Sequence, residues 1–330
     1  MNGNLKQLFT YLLLLIACSG SAQLISTKPP EIATGPLNFD AAVIKQNRIK
    51  TIALIIVDKP DGAVIVDKGS TQGFEFDADG RVTRYYYTIL NRVVPEEVEV
   101  PAVKRKGKII RPAGTKTVMR YFNDTVFSNV FYDDQGRVTT KRVKTGDFYD
   151  AYYYEYNAEG RIKKEMHCKE TSIAENRNEF KLGVQTVLSV ETFEYEALTP
   201  TQLRKKCLND EGREYKKGII NYNAKGEKVS ESYDFIVSWM HQESSYEYNA
   251  SGKLSKYSYS NNESGDIKRE STFDYDANGS LITEKKLKGT EVLNEVSYLF
   301  DDVTKLVKSH IDRDFKNASI GIVKYIYSYY

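Results

Sequence analysis

A chain of 330 residues has room for one large all-β unit or two ordinary domains. Its 47 Lys and Arg nearly balance its 45 Asp and Glu, and the signs are interleaved, which excludes the basic face of a dedicated nucleic-acid binder. Apolar residues make up 41%, charged residues 28%, and 25 Tyr stand against a single Trp, a composition suited to thin two-sided sheets rather than a thick core.

The first element is a leader. Lys6 precedes an apolar run from Leu8 to Ala17, shorter than the roughly 20 residues that cross a bilayer. With Cys18-Ser19-Gly20-Ser21-Ala22 behind it, residues 1–22 read as a secretory signal of a bacterial chain bound for the periplasm, the outer membrane or the medium. Leu15-Ile16-Ala17-Cys18 has the form of a lipobox, which would lipidate Cys18; Gly20-Ser21-Ala22 is an equally good site for ordinary cleavage. No later stretch has the length and apolarity of a membrane helix, so membrane contact is expected only through a lipid on Cys18. Residues 23–48, with Pro29, Pro30 and Pro36, are expected to be a linker, and Asn38 is placed to cap a short helix from Phe39 to about Asn47.

Residues 49–330 carry a recurring phrase. Phe76-Asp77-Ala78-Asp79-Gly80-Arg81-Val82 returns as Tyr132–Val138, Tyr156–Ile162, Tyr248–Leu254 and Tyr275–Leu281. An Asp or Asn that bonds its own backbone two residues on, followed by Gly at a position of positive φ, is the chemistry of a four-residue hairpin loop. The aromatic before the loop then faces the aliphatic after it: Phe76 with Val82, Tyr132 with Val138, Tyr156 with Ile162, Tyr248 with Leu254 and Tyr275 with Leu281. Alternation puts Phe74, Tyr154, Tyr246 and Phe273 on the same, aromatic face and Glu75, Glu155, Glu247 and Asp274 on a wet one. Weaker copies include Phe300 to Leu306, which keeps the pair without the Gly. Pro95, Pro101 and Pro112 mark residues 95–115 as an irregular insertion, with Lys104-Arg105-Lys106-Gly107-Lys108 at its tip, and 170–183 read as a long loop.

The phrase resembles the YD repeat of RHS-type bacterial surface and toxin proteins. The resemblance implies an all-β fold in which antiparallel hairpins form a coiled, open sheet strip, and a link to carbohydrate and cell surfaces. The copies here are too few to enclose a cargo and no toxin domain follows them, so a short, toxin-free form is implied.

Chemistry is sparse. His167, His241 and His310 are scattered, no nucleophile elbow or phosphate loop occurs, and the recurring carboxylates are turn or wet-face residues. No catalytic or metal site and no cofactor is expected, and the chain reads as a non-enzyme. Two triplets, Tyr85-Tyr86-Tyr87 and Tyr152-Tyr153-Tyr154, put rings on both faces; Tyr85, Tyr86, Tyr152 and Tyr153 are the candidate ligand contacts. Cys168 and Cys207 are candidates for a disulfide, the alternative being two separate thiols. The leading expectation is an envelope-associated binding or scaffold module meeting glycan or protein partners through a Tyr-rich sheet face. A structural protein pairing through open sheet edges comes next, and a hydrolase of envelope polymers third. Oligomeric state is left open.

Overall fold

The computed structural model describes residues 23–330 except 61, 63, 106–107, 177–178 and 263–266; the leader, with Cys18, lies outside the described residues. The hairpin phrase builds what its chemistry dictates. In the first copy, Asp77 Oδ1 accepts from the backbone N–H groups of Asp79 and Arg81, and Gly80 closes the loop at φ +82°. All five aromatic–aliphatic pairs are direct cross-strand partners. Each hairpin carries a one-residue bulge just after its aliphatic residue, so Glu155 faces Lys164, and Lys163 sits in the bulge. In the Gly-less copy Phe300 pairs with Val307, one residue beyond Leu306.

The strands run β1 (Ile49–Pro60), β2 (Val66–Phe76), β3 (Val82–Val100), β4 (Val103–Arg105), β5 (Lys108–Arg111), β6 (Gly114–Tyr132), β7 (Val138–Thr145), β8 (Phe148–Tyr156), β9 (Ile162–Ser172) and β10 (Leu182–Thr199). They continue as β11 (Gln202–Leu208), β12 (Glu214–Tyr222), β13 (Lys228–Phe235), β14 (His241–Tyr248), β15 (Leu254–Asn261), β16 (Ile267–Tyr275), β17 (Leu281–Lys288), β18 (Glu291–Phe300), β19 (Val307–Asp314) and β20 (Ser319–Tyr329). β4 and β5 pair only with each other, at the tip of the long β3–β6 hairpin. The other 18 strands pair antiparallel, each with the next, and β20 pairs with β1 from Ile49–Tyr329 to Pro60–Ser319.

That last pairing corrects the expected architecture. The sheet is a closed 18-strand barrel in which every strand has two neighbours, not an open coiled strip. The resemblance to YD repeats falls with it: local hairpin chemistry is shared, but the assembly closes on itself. Two functional expectations fall for the same reason. A closed ring offers no sheet edge along its wall for assembly, and its aromatic face is turned inward.

The inward direction is fixed by the segment expected to be a linker. Residues 23–47 run along the inner wall, pinned by the Ile25–Phe39 bridge, with Thr27 bonded to Tyr275 Oη on β16 (2.8 Å) and the Ala33 carbonyl accepting from Lys141 Nζ on β7 (2.7 Å). These two strands lie on opposite sides of the ring, so the segment spans the interior. It ends in α1 (Ala41–Gln46), capped by Asp40 rather than Asn38 because Asp40 Oδ1 reaches the N–H groups of Ala42 and Val43. Leu24, Ile25, Phe39, Val43 and Ile44 are buried against Ile52, Leu54, Phe74, Val296 and Tyr325 in one core. The linker is therefore a stopper, filling the side of the lumen beneath β17–β20 and β1–β3.

The outer wall is mixed, with exposed apolar side chains such as Phe131, Val187, Leu299 and Ile326 standing among charged ones. Glu155 with Lys164, Glu194 with Lys206, and Glu295 with Lys285 and Arg313 form outward ion pairs. A membrane-spanning barrel needs an apolar outer band and a polar interior. Here ion pairs interrupt the outer face, and the interior holds both aromatic and charged residues.

Candidate functional site

The repeated tyrosines do more than face an aliphatic residue. Each hydroxyl donates to a backbone carbonyl in the preceding hairpin: Tyr132 to Val82 (2.8 Å), Tyr156 to Val138 (2.7 Å), Tyr195 to Ile162 (2.9 Å), Tyr248 to Lys228 (2.8 Å), Tyr275 to Leu254 (2.6 Å) and Tyr327 to Val307 (2.6 Å). The basic residue of one copy lies over the next copy's ring, Arg81 over Tyr132 at 4.9 Å and Arg137 over Tyr156 at 4.6 Å. Tyr330 Oη donates to the Phe76 carbonyl, carrying the ladder across the closure. These residues are frame, not site. The excess of Tyr over Phe was the sequence signal for a needed hydroxyl.

What the frame and stopper leave is an arc of inner wall from β7 to β13 lined by charge. Glu165 on β9 and Glu191 on β10 are direct cross-strand partners, both inward. Burial, reinforced by the facing Glu191 carboxylate, raises the Glu165 pKa. Glu191 accepts from Tyr215 Oη at 2.5 Å. Lys205 Nζ lies 4.1 Å from the Phe193 ring centroid, and burial lowers its pKa. Lys216 lies 5.2 Å from the ring centroids of both Tyr233 and Phe235. Glu31, on the stopper, acts electrostatically on Lys205 and on Tyr156, Tyr195 and Tyr222, so stopper and arc bound one space. Inward residues farther from the phrase turns, Lys169, Thr186 and Arg269, are exposed, so solvent enters from that end.

The four candidate tyrosines are split by strand alternation. Tyr85 is inward, 4.8 Å from Phe74 and 5.6 Å from Tyr87 between ring centroids, and burial pushes its hydroxyl up to about 12. Tyr86 is outward, with its ring across Gly73, where an added Cβ would meet ring atoms at 2.2 Å. Tyr152 is inward and stacked on His167 at 4.4 Å. Tyr153 is outward but enclosed, donating to Glu170 and accepting from Arg142 Nη2 at 3.0 Å. The structure brings none of these four into one binding surface.

Around Tyr153 lies a polar lock that the sequence did not announce. Glu170 is fully buried and accepts from Arg142 Nε (2.6 Å), Gln185 Nε2 (2.7 Å) and Tyr153. Burial pushes the Glu170 carboxyl up, but the hydrogen bonds from Arg142, Tyr153 and Gln185 outweigh it and hold the pKa below the usual value. Arg142 stacks on Phe180 at 4.0 Å, tying down the connection between β9 and β10.

Cys168 and Cys207 are free, buried thiols. Cys168 pairs with Ala151 on the outward face of β9, and Cys207 with Phe193 on the inward face of β11, with β10 between the two strands. That arrangement corrects the disulfide expectation. His167 bonds Asp150 (3.2 Å) and His310 bonds Tyr325 Oη (2.9 Å), both inward, whereas His241 bonds Asp234 outside (2.7 Å). Among the described residues no group of three or more His, Cys, Asp or Glu could hold a metal.

No family model and no curated protein matches the chain. Among solved structures it is similar to a porin-like protein from Bacteroides uniformis, at 11% identity and TM-score 0.36, over 85% of this chain and 98% of that one. A porin-like protein from Bacteroides vulgatus matches at 9% identity and TM-score 0.31, over 86% and 98%. The Photorhabdus luminescens Tc holotoxin pore matches at 10% identity and TM-score 0.19, over 76% of this chain and 16% of that one. The barrel assignment rests on the strand pairing itself.

Proposed function

We propose that this chain is a non-enzymatic, exported protein of the bacterial outer-membrane region that holds a small polar solute inside its barrel. The observation that carries the reading is the charged, Tyr-lined arc facing the stopper. Charges withdrawn from bulk water are costly unless they meet partners, and perturbed groups gathered in one concavity mark a binding site more often than a plain wall. Acidic and basic groups of similar number beside aromatic faces suit a neutral or zwitterionic ligand, a short saccharide or an amino acid. The ion pairs that interrupt the outer wall support a barrel working in water rather than a passage through lipid. The paired carboxylates lie inside the lumen, out of reach of an envelope polymer, which replaces the hydrolase reading.

Saturation-transfer NMR against amino acids, monosaccharides and short oligosaccharides tests the proposal. The expected result is a binder whose affinity falls by about tenfold, the equivalent of about 1.4 kcal/mol, in folded Glu165→Gln and Lys205→Met variants. No binder in either class, or one indifferent to both substitutions, would contradict it.

A further inference from the structure

The pairing of β6 with β7 ends at Ser128–Val143, although β6 itself runs on beside β3 as far as Gly114. A notch therefore opens in the wall between the long β3–β6 hairpin and the β7–β8 turn, at the mouth opposite the phrase turns. The β9–β10 connection folds across it, with Phe180 set edge-on against Tyr149 at 4.9 Å. The result is a cleft of about 700 Å³ on the outside of the barrel. Phe127, Lys144 and Tyr149 line it from the wall, and Ser172 and Ala174 from the end of β9 and its connection. That volume lies in the range of small-molecule sites.

Lys144 and Tyr149 are direct partners on the outward face. Tyr149 is 6% exposed, yet its hydroxyl has no hydrogen-bond partner among the described residues. Lys144 is half-buried and equally without an ion pair among them. Polar groups withdrawn from water and left unpaired are costly, and both of these border the same cleft. Arg84 stands 4.1 Å from the Phe127 ring centroid, with a long ion pair to Glu75 (3.7 Å) and a buried, unpartnered Nε. Burial pushes the Tyr149 pKa up, and the guanidinium groups of Arg142 and Arg84 act against it. The lining carboxylates do not answer these donors: Asp124 accepts from Asn91 (2.7 Å), Glu179 accepts from Asn176 (3.2 Å), and Asp147 is exposed.

We propose that the cleft binds a small organic monocarboxylate, at a second site independent of the lumen. The Lys144 ammonium and the Tyr149 hydroxyl can each donate to one carboxylate oxygen, and charge-assisted bonds of this kind are the strong ones. The Phe127 ring covers an apolar body. A phosphate monoester, with roughly twice the charge, meets more repulsion from Asp147 and Glu179.

Protein isotope-labelled at tyrosine Cζ reports on the site by NMR, the Tyr149 signal being the one lost in Tyr149→Phe. Benzoate should move that signal. Benzamide and phenyl phosphate should bind at least about tenfold more weakly, the equivalent of one hydrogen bond to a charged group. Lys144→Met should lower benzoate affinity about tenfold, whereas Lys144→Arg, which keeps the charge, and the lumen variants Glu165→Gln and Lys205→Met should retain it. A silent Tyr149 signal, equal binding of benzoate and benzamide, tighter binding of phenyl phosphate, or indifference to Lys144→Met would overturn the proposal. So would loss of benzoate binding in Glu165→Gln alone, which would put the ligand inside the barrel.

Discussion

The turn end and the mouth of this barrel are stabilised by different means. At the turn end the same small device recurs from hairpin to hairpin: an Asx-type loop, an aromatic–aliphatic clamp, and a Tyr hydroxyl bonded to the hairpin before it. At the mouth the connections vary: Asn209 to Arg213 repeats the Asx-type loop without the aromatic–aliphatic clamp, and the β9–β10 connection is held by one buried lock, Arg142–Glu170–Tyr153–Gln185. A repeated device spreads stability over many small, equivalent contacts. An unrepeated one concentrates it, and frees the neighbouring loops to carry different side chains.

The sharpest break in that comparison is at the lock. Arg142→Met leaves Glu170 buried without its ion partner and should cost about 3–5 kcal/mol in denaturant unfolding. Adding Glu170→Gln should restore part of it, since the uncompensated charge is then gone. Ile44→Ala, at a fully buried position of the stopper helix, should cost about 2–5 kcal/mol. A loss under about 0.5 kcal/mol would mean that the segment is a linker after all.

His310 sharpens the difference by pH. Burial holds its pKa at about 4 against an ordinary 6.5, so the folded state keeps it neutral. The unfolded chain therefore binds the extra proton first as pH falls. Stability from this group is present above pH 6.5 and is lost down to about pH 4, by about 3 kcal/mol in all. Subtracting the curve of a His310→Asn variant isolates it; parallel curves would contradict the assignment. The smallest effect belongs to the ladder. Tyr156→Phe removes one hydroxyl-to-carbonyl bond and should cost about 1 kcal/mol, while Glu155→Gln on the outer wall should change stability by less than about 0.5 kcal/mol. If Tyr156→Phe matched Glu155→Gln, the ladder would be ornament rather than frame.

The parts legible in the sequence were the local ones. Phe76–Val82 and its counterparts, and the separation of Tyr154 from Glu155, follow from turn chemistry and alternation within a few residues. Ring closure could not be read that way, because β1 and β20 meet some 270 residues apart with no turn motif between them. The stopper was hidden by its own composition: Pro29, Pro30 and Pro36 read as a linker, and only the enclosing wall makes Leu24 and Ile44 core residues. The charged arc was equally hidden. Glu165 and Glu191 lie 26 positions apart in sequence and become neighbours only through the β9–β10 register.

The central claim is closure, and one crosslink tests it most directly. Ala53 and Ile326 are direct partners across β1 and β20. In the double variant Ala53→Cys/Ile326→Cys, with Cys168 and Cys207 changed to Ser, oxidation should give a monomer of increased mobility on non-reducing gels, with both thiols consumed. An open strip would leave the two cysteines far apart, and the product would be free thiols or intermolecular dimers.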